Sequence, residues 1–326
     1  MKTYITLDYE LFFGESGSVE QSIVNPTERL LSILDKYNAK AVFFVDVGYL
    51  IRMNDLADNE PKLKEDEKKV KEQIKNLVNE GHDIQLHIHS HWEDAIYQDG
   101  CWRFPMKHYR LHSYSEQECQ SIIKKYKSFL ESIIGDEVFA FRAGGWCIQP
   151  FLKLKKAFID TGIKIDSTVF KGGRNTHGVH YYNFKNAPDL PEWSFSDDPC
   201  KVDSGGEFKE IPISNYRVSP IFFWKLLYFK KFGGKKHRQL GDGHALSNWI
   251  FQKLRLLFKR TNTVVSIDGF KASYLGKAFK IYSNSNIEGN FVIIGHPKAF
   301  SNYSLDKLDS FLSKNQEIIE VKTFRS

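Results

Sequence analysis

Cysteine is scarce in this chain. Its 326 residues hold four, Cys101, Cys119, Cys147 and Cys200, with no CxxC pair among them. That scatter excludes a zinc knuckle and offers no disulfide framework, so reduced thiols are expected. No apolar run approaches the roughly 18–20 residues needed to span a bilayer. The N-terminus, Met1-Lys2-Thr3-Tyr4-Ile5-Thr6-Leu7-Asp8, enters an apolar strand at once, with no charged n-region, apolar h-region or small-residue cleavage site before it. A cytoplasmic protein is the expectation. The base-stacking and phosphate-gripping motifs of a nucleic-acid module are missing, and a formal net charge of +6 is mild for this length, so no nucleic-acid partner is expected. No internal repeat or low-complexity linker divides the chain. The reading is one domain over 1–326, with loop and helix insertions at about 170–290.

What is there is an alternation of strands and helices. Residues 2–8 read as a strand, and a helical pattern opens at Pro26 with Leu30, Leu31, Ile33 and Leu34 on one face. The continuous apolar run at 40–47 suits a parallel strand buried on both faces. An amphipathic helix is expected at 62–79, with Val70, Ile74, Leu77 and Val78 inward. Helices at 116–134 and 150–161 then alternate with strands at 138–141 and 164–169. This order predicts an α/β fold with parallel strands joined by crossovers. Long loops follow at 170–203, a short strand at 210–213, helices at 220–232 and 246–259, a last strand at 290–294 and a helix near 305–313.

The densest chemistry lies in Gly81-His82-Asp83-Ile84-Gln85-Leu86-His87-Ile88-His89-Ser90-His91-Trp92, which holds four of the eleven histidines. Neutral imidazole is a common metal ligand, so the cluster reads either as a metal site or as a solvated strand end. In an extended strand His87 and His91 would lie about 13 Å apart. Both can reach one ion only if the chain curls through Ile88–Ser90. Polar residues also close three other strands: Asp8 and Glu10, Arg142, and His296. In a parallel barrel such strand ends open onto one face, which would gather residues distant in sequence.

Five motifs carry a resemblance. Leu7-Asp8-Tyr9-Glu10, His87-Ile88-His89-Ser90-His91, Phe141-Arg142-Ala143-Gly144-Gly145-Trp146, Ile165-Asp166-Ser167-Thr168 and Ile294-Gly295-His296-Pro297 appear in the order found in polysaccharide deacetylases. The chain resembles carbohydrate esterase family 4, the NodB-homology type. It departs from that pattern at Glu10, where the family has an adjacent Asp-Asp pair, at Ile88, and at Ala143-Gly144, where a proline is usual. These departures imply a divergent branch acting in surface-glycan biosynthesis.

The resemblance implies a distorted, incomplete (β/α) barrel of the (β/α)7 type. It implies metal-dependent removal of an N-acetyl group from an amino sugar or glycan, with a deformylase or an inactive glycan-binding homologue as alternatives. The implied ion is divalent: zinc first, with cobalt, nickel, manganese or iron as substitutes. Its implied ligands are Glu10, His87 and His91. Asp8 would be the base, oriented by Arg142, and His296 the acid. His89 and Asp166 are expected behind these groups, and Tyr9, Gly144, Gly145, Trp146 and Trp92 are candidates for contact with substrate. The implied partner is an N-acetylated sugar or lipid-linked glycan. The aromatic, basic segments at 220–238 and 246–260 add an expected peripheral contact with the inner face of a membrane.

Overall fold

The computed structural model describes residues 1–245, 256–284 and 289–326. The expected helix at 246–259 therefore lies largely outside the described residues. The principal strands are β1 (Lys2–Tyr9), β2 (Val42–Asp46), β3 (Asp83–Ile88), β4 (Ala140–Ala143), β5 (Ile165–Asp166), β6 (Trp193–Phe195), β7 (Phe208–Glu210), β8 (Asn290–Gly295) and β9 (Glu320–Lys322). Alternating with helices, they follow the strand–helix order of a distorted, incomplete (β/α) barrel. The chain forms two compact units, one of residues 1–41 and 213–322, the other of residues 42–212 and 323–326.

In the first unit β1 pairs in parallel with both β8 and β9. Thr6 of β1 faces Ile294 of β8, and its hydroxyl also donates to the Ile293 carbonyl at 2.8 Å. All eight residues of β1 but Lys2 are buried, as a strand covered on both faces requires. Phe279 bridges the helix Leu275–Ser283 to Phe291 of β8 and to Phe311 of the helix Asn302–Asn315, at ring separations of 5.4 Å each.

The second unit is a sheet in the order β6-β7-β5-β4-β3-β2, parallel except where β6 runs against β7. Its helices include Val47–Leu56, Pro61–Asn79, Glu116–Ile134 and Leu152–Thr161. The third shows how sequence sets an end: Ser115 and Glu118 form a reciprocal capping box, and Gly135 closes the helix at φ 71°. The helix Val47–Leu56 was not expected. It starts without a loop, because Asp46, the last residue of β2, is itself the N-cap and accepts from the Gly48 N–H. The expected strand at 164–169 shrinks to Ile165–Asp166: the Thr168 N–H turns to Asp166 Oδ2 at 3.3 Å, and the Ser167 carbonyl accepts from Arg142 Nε at 2.7 Å.

Candidate active site

The polar residues at the ends of β1 and β8 form one cluster. Asp8 and Glu10, two residues apart, are both buried. His296, the residue after β8, points Nε2 at both, 3.5 Å from Asp8 Oδ2 and 3.8 Å from Glu10 Oε1. Its Nδ1 lies 2.8 Å from Asp268 Oδ2, and its backbone N–H donates to Asp268 Oδ1 at 2.8 Å. A carboxylate accepts only, so Nδ1 carries a proton in this pair. Burial opposes charge on the ring, but Asp268 and then Asp8 outweigh it and raise the His296 pKa to about 10. Lys298, also buried, pairs with Glu10 Oε1 at 2.9 Å, and its ammonium lies 4.9 Å and 4.5 Å from the ring centres of Phe12 and Phe13.

A second cluster stands at the ends of β3 and β4. His87 Nδ1 lies 2.8 Å from the Arg142 carbonyl oxygen. A carbonyl also only accepts, so this contact fixes the proton on Nδ1 and leaves the ligating lone pair on Nε2. His89, in extended conformation just beyond β3, brings its ring to 4.8 Å from that of His87. Its backbone N–H donates to Asp46 Oδ1 at 3.3 Å. Gly144 comes so close that a Cβ there would stand 2.4 Å from the Ile88 carbonyl oxygen and 2.7 Å from His89 Nδ1. Gly145 adopts φ 59°, and a Cβ there would meet the Tyr109 hydroxyl at 2.6 Å. The glycine pair is thus required by close approach and by backbone conformation together.

Glu10, His87 and His89 are a buried Glu/His/His set that could bind a metal ion. One carboxylate and two imidazoles suit a borderline divalent ion such as zinc. The set differs in one member from the expected Glu10, His87 and His91. His91 is fully buried, its ring stacked 5.5 Å from Tyr109 and edge-on to Phe104 at 5.1 Å. Residues i and i+2 of an extended segment share a face, which His87 and His89 satisfy without the turn that His91 needs.

Arg142 is completely buried. Its guanidinium donates to the Ser167 carbonyl (2.7 Å) and hydroxyl (3.0 Å) and lies 4.2 Å from the centre of the Phe44 ring. Asp166 accepts from the Thr168 hydroxyl at 2.7 Å, and that hydroxyl accepts from the Ala143 N–H at 2.9 Å. Trp92 is a correction to the sequence reading. It has no exposed surface, and its indole N–H donates to Asp46 Oδ2 at 2.7 Å, so it packs the core instead of meeting a sugar. The Tyr9 ring is likewise fully buried. Trp146 remains half-buried, at φ 60°, against Phe170 and Tyr182.

Sequence reasoning missed Asp268, Lys298, Asp46 and Glu210. Asp268 had a signal: Val264-Val265-Ser266-Ile267-Asp268 is another apolar run ending in an acid, the pattern of Leu7-Asp8. Lys298 and Asp46 lie within two residues of quoted motifs or strand ends but belong to none of the motifs. Glu210 opposes Asp166 across β7 and β5. Burial and the neighbouring Asp166 raise its pKa well above the ordinary carboxylate range.

Residues 4–149 match the model of the polysaccharide deacetylase family. That match covers a little under half of the chain. A comparison with curated proteins found no match. Among solved structures, the Puue allantoinase is 11% identical at a TM-score of 0.50, over 99% of this chain and 87% of that one. The Bc1960 peptidoglycan N-acetylglucosamine deacetylase is 15% identical at 0.45, over 99% and 86%. A family 4 carbohydrate esterase from Streptomyces lividans is 10% identical at 0.42, over 99% and 92%. At 11% identity the likeness to the allantoinase is one of fold.

Proposed function

We propose that the protein is a metal-dependent hydrolase that removes the acetyl group from an N-acetylated amino sugar in glycan assembly. The observation that carries this reading is the buried Glu10, His87 and His89 set. The match of residues 4–149 to the polysaccharide deacetylase model supports hydrolysis of a carbon–nitrogen bond outside peptides. Zinc is the ion we assign, held by those three residues. When bound, such an ion supplies Lewis acidity, which makes water more acidic and polarises an acyl carbonyl.

The residues divide the proton chemistry between them. Asp8 accepts a proton from the water that attacks the acyl carbon. His296 gives its Nε2 proton to the amide nitrogen as the C–N bond breaks, so that amine and acetate leave. Asp268 holds the ring in place and keeps it protonated until that step. The 3.5 Å approach of Asp8 Oδ2 to His296 Nε2 is a route by which the proton gained by one returns to the other. Glu10, ion-paired with Lys298, is held as the carboxylate that a cation needs.

The test is acyl release by purified protein, with metal content measured on the same sample. About one divalent ion per chain is expected, with acetate released from N-acetylated amino sugars and lost on chelation. Formate release from N-formyl sugars alone would make it a deformylase. Glycan binding without acyl release by the metal-loaded protein would make it an inactive binding homologue.

A further inference from the structure

The helix Pro220–Phe232 presents two apolar stripes. One faces inward: Phe222 is buried against Tyr274 (4.8 Å) and Phe270 (5.8 Å), and Phe229, seven residues on, stacks on Phe270 at 4.9 Å. Those two turns fix the helix rotation. The other stripe is Ile221, Trp224, Tyr228 and Phe232, at spacings of three, four and four residues, and all four are more than half exposed. With Leu227, this helix holds five of the fourteen exposed large hydrophobic side chains among the described residues. Single exposed apolar residues need no explanation, but a continuous helical stripe does. The Trp224 indole N–H donates to the Leu257 carbonyl at 3.2 Å, which anchors its polar edge.

Charge selects the occupant. From Pro220 to Leu240 the chain carries Lys225, Lys230, Lys231, Lys235, Lys236 and Arg238 and no acidic residue. At 100° per residue Lys225 borders one edge of the outer stripe and Lys231 the other, both exposed. Lys236 is engaged by Asp306 at 2.9 Å; Lys225, Lys230 and Lys231 carry no resolved salt bridge among the described residues. We infer that this helix is a docking surface for an anionic lipid membrane, lying in the interface with Ile221, Trp224, Tyr228 and Phe232 inserted and Lys225 and Lys231 over the headgroups. An exposed helical stripe of aromatic and aliphatic side chains bordered by lysines has the composition of an interfacial element. No helix among the described residues is long and apolar enough to cross a membrane. The surface is independent of the acyl chemistry, because none of its residues belongs to either polar cluster.

The test is sedimentation of the full chain with phosphatidylcholine vesicles, alone or mixed with phosphatidylglycerol. Binding is expected to be at least about tenfold stronger to the mixed vesicles and to weaken as salt is added. The double variant Lys225→Gln, Lys231→Gln is expected to lose about thirtyfold in partitioning to mixed vesicles. Trp224→Ser with Tyr228→Ser is expected to lose binding to both kinds of vesicle. Hydrolysis of a soluble substrate and the thermal melt should match wild type in these variants. No binding by wild type, equal binding to both vesicles, or equal binding by wild type and variants would overturn the proposal. A wild-type dimer that Trp224→Ser dissociates, with no vesicle binding, would overturn it in favour of a second copy as the occupant. The wild-type salt titration decides the matter even if a variant fails to fold.

Discussion

His296 and Asp268 meet twice: both oxygens of one carboxylate accept from one residue, Oδ1 from its backbone N–H and Oδ2 from its ring, each at 2.8 Å. A single contact would leave the imidazole able to swing about its Cα–Cβ bond. The double contact ties ring to backbone, so Nε2 has one direction to point, toward Asp8 and Glu10.

Asp268→Asn should therefore impair the acid step without removing the acid. Turnover is expected to fall by about 10²-fold, the low end of what a positioned proton donor contributes. The loss should appear in kcat rather than KM and should shrink for substrates whose amine leaves easily. Steady-state kinetics on two leaving groups checks this, and an equal loss on both would count against the acid role of His296.

Metal content separates His89 from His91. His87→Ala, His89→Ala and Glu10→Ala should each lose the ion, whereas His91→Ala should retain it. Removing the His91 ring from its stack with Tyr109 and Phe104 should instead lower stability, by about 3–5 kcal/mol if it behaves as other large buried rings do. Elemental analysis alongside denaturant unfolding tells the outcomes apart, and loss of metal from His91→Ala with His89→Ala still loaded would restore His91 as the ligand.

Gly144→Ala should disturb the histidines from behind. The added methyl meets the Ile88 carbonyl at 2.4 Å, a backbone atom that cannot rotate away. A cost of about 1–3 kcal/mol is expected, the usual result of forcing a methyl into a packed place. Weaker metal retention should accompany it. An unchanged melt and full metal occupancy would show that the loop of β4 yields freely.

Stability should respond to pH through Glu210. Its folded pKa is raised, by burial first and then by Asp166, so over a window above pH 4.5 the folded chain holds a proton that the unfolded chain has lost. The folded state binding more protons means stability falls as pH rises from 4.5 toward the folded pKa. Glu210→Gln mimics the protonated carboxyl, since its oxygen can still accept from the Val169 N–H, now at 3.0 Å from Glu210. That variant should flatten the slope and match or exceed wild type at pH 8. Glu210→Ala should lose about 1–3 kcal/mol at every pH, the cost of leaving buried polar groups unsatisfied. Chemical denaturation at pH 5, 6.5 and 8 reads all three, and parallel slopes for wild type and Glu210→Gln would refute the protonated assignment.

Much of the fold was legible because its signals were periodic. The apolar-rich β1 and β2 and the capped helix 116–134 announce themselves within ten or twenty residues. So do motif residues at strand ends, since a polar side chain that closes an apolar strand stands out. Glu210 did not, because it acts on Asp166, 44 residues away in sequence; Asp268 closes an apolar run as Asp8 does, but nothing local ties it to His296, 28 residues on. Trp92 misled for a related reason. An aromatic after a histidine cluster looks like a wall for a sugar until Asp46, across the sheet in β2, is seen to take its N–H. The second stripe of the helix 220–232 was readable only as aromatic richness; which face stayed outside depended on Phe270 and Tyr274.

The pairing of β1 with β8 also has a history in time. Lys2 faces Asn290, so 288 residues must be synthesised before that register can form. At about 5–20 residues per second the ribosome needs roughly 15–60 s for that stretch. Throughout, Tyr4-Ile5-Thr6-Leu7 is a finished β-strand sequence whose partners β8 and β9 do not yet exist. For that interval the β1–β8 register cannot cover the strand, and whatever shelters it must come from elsewhere.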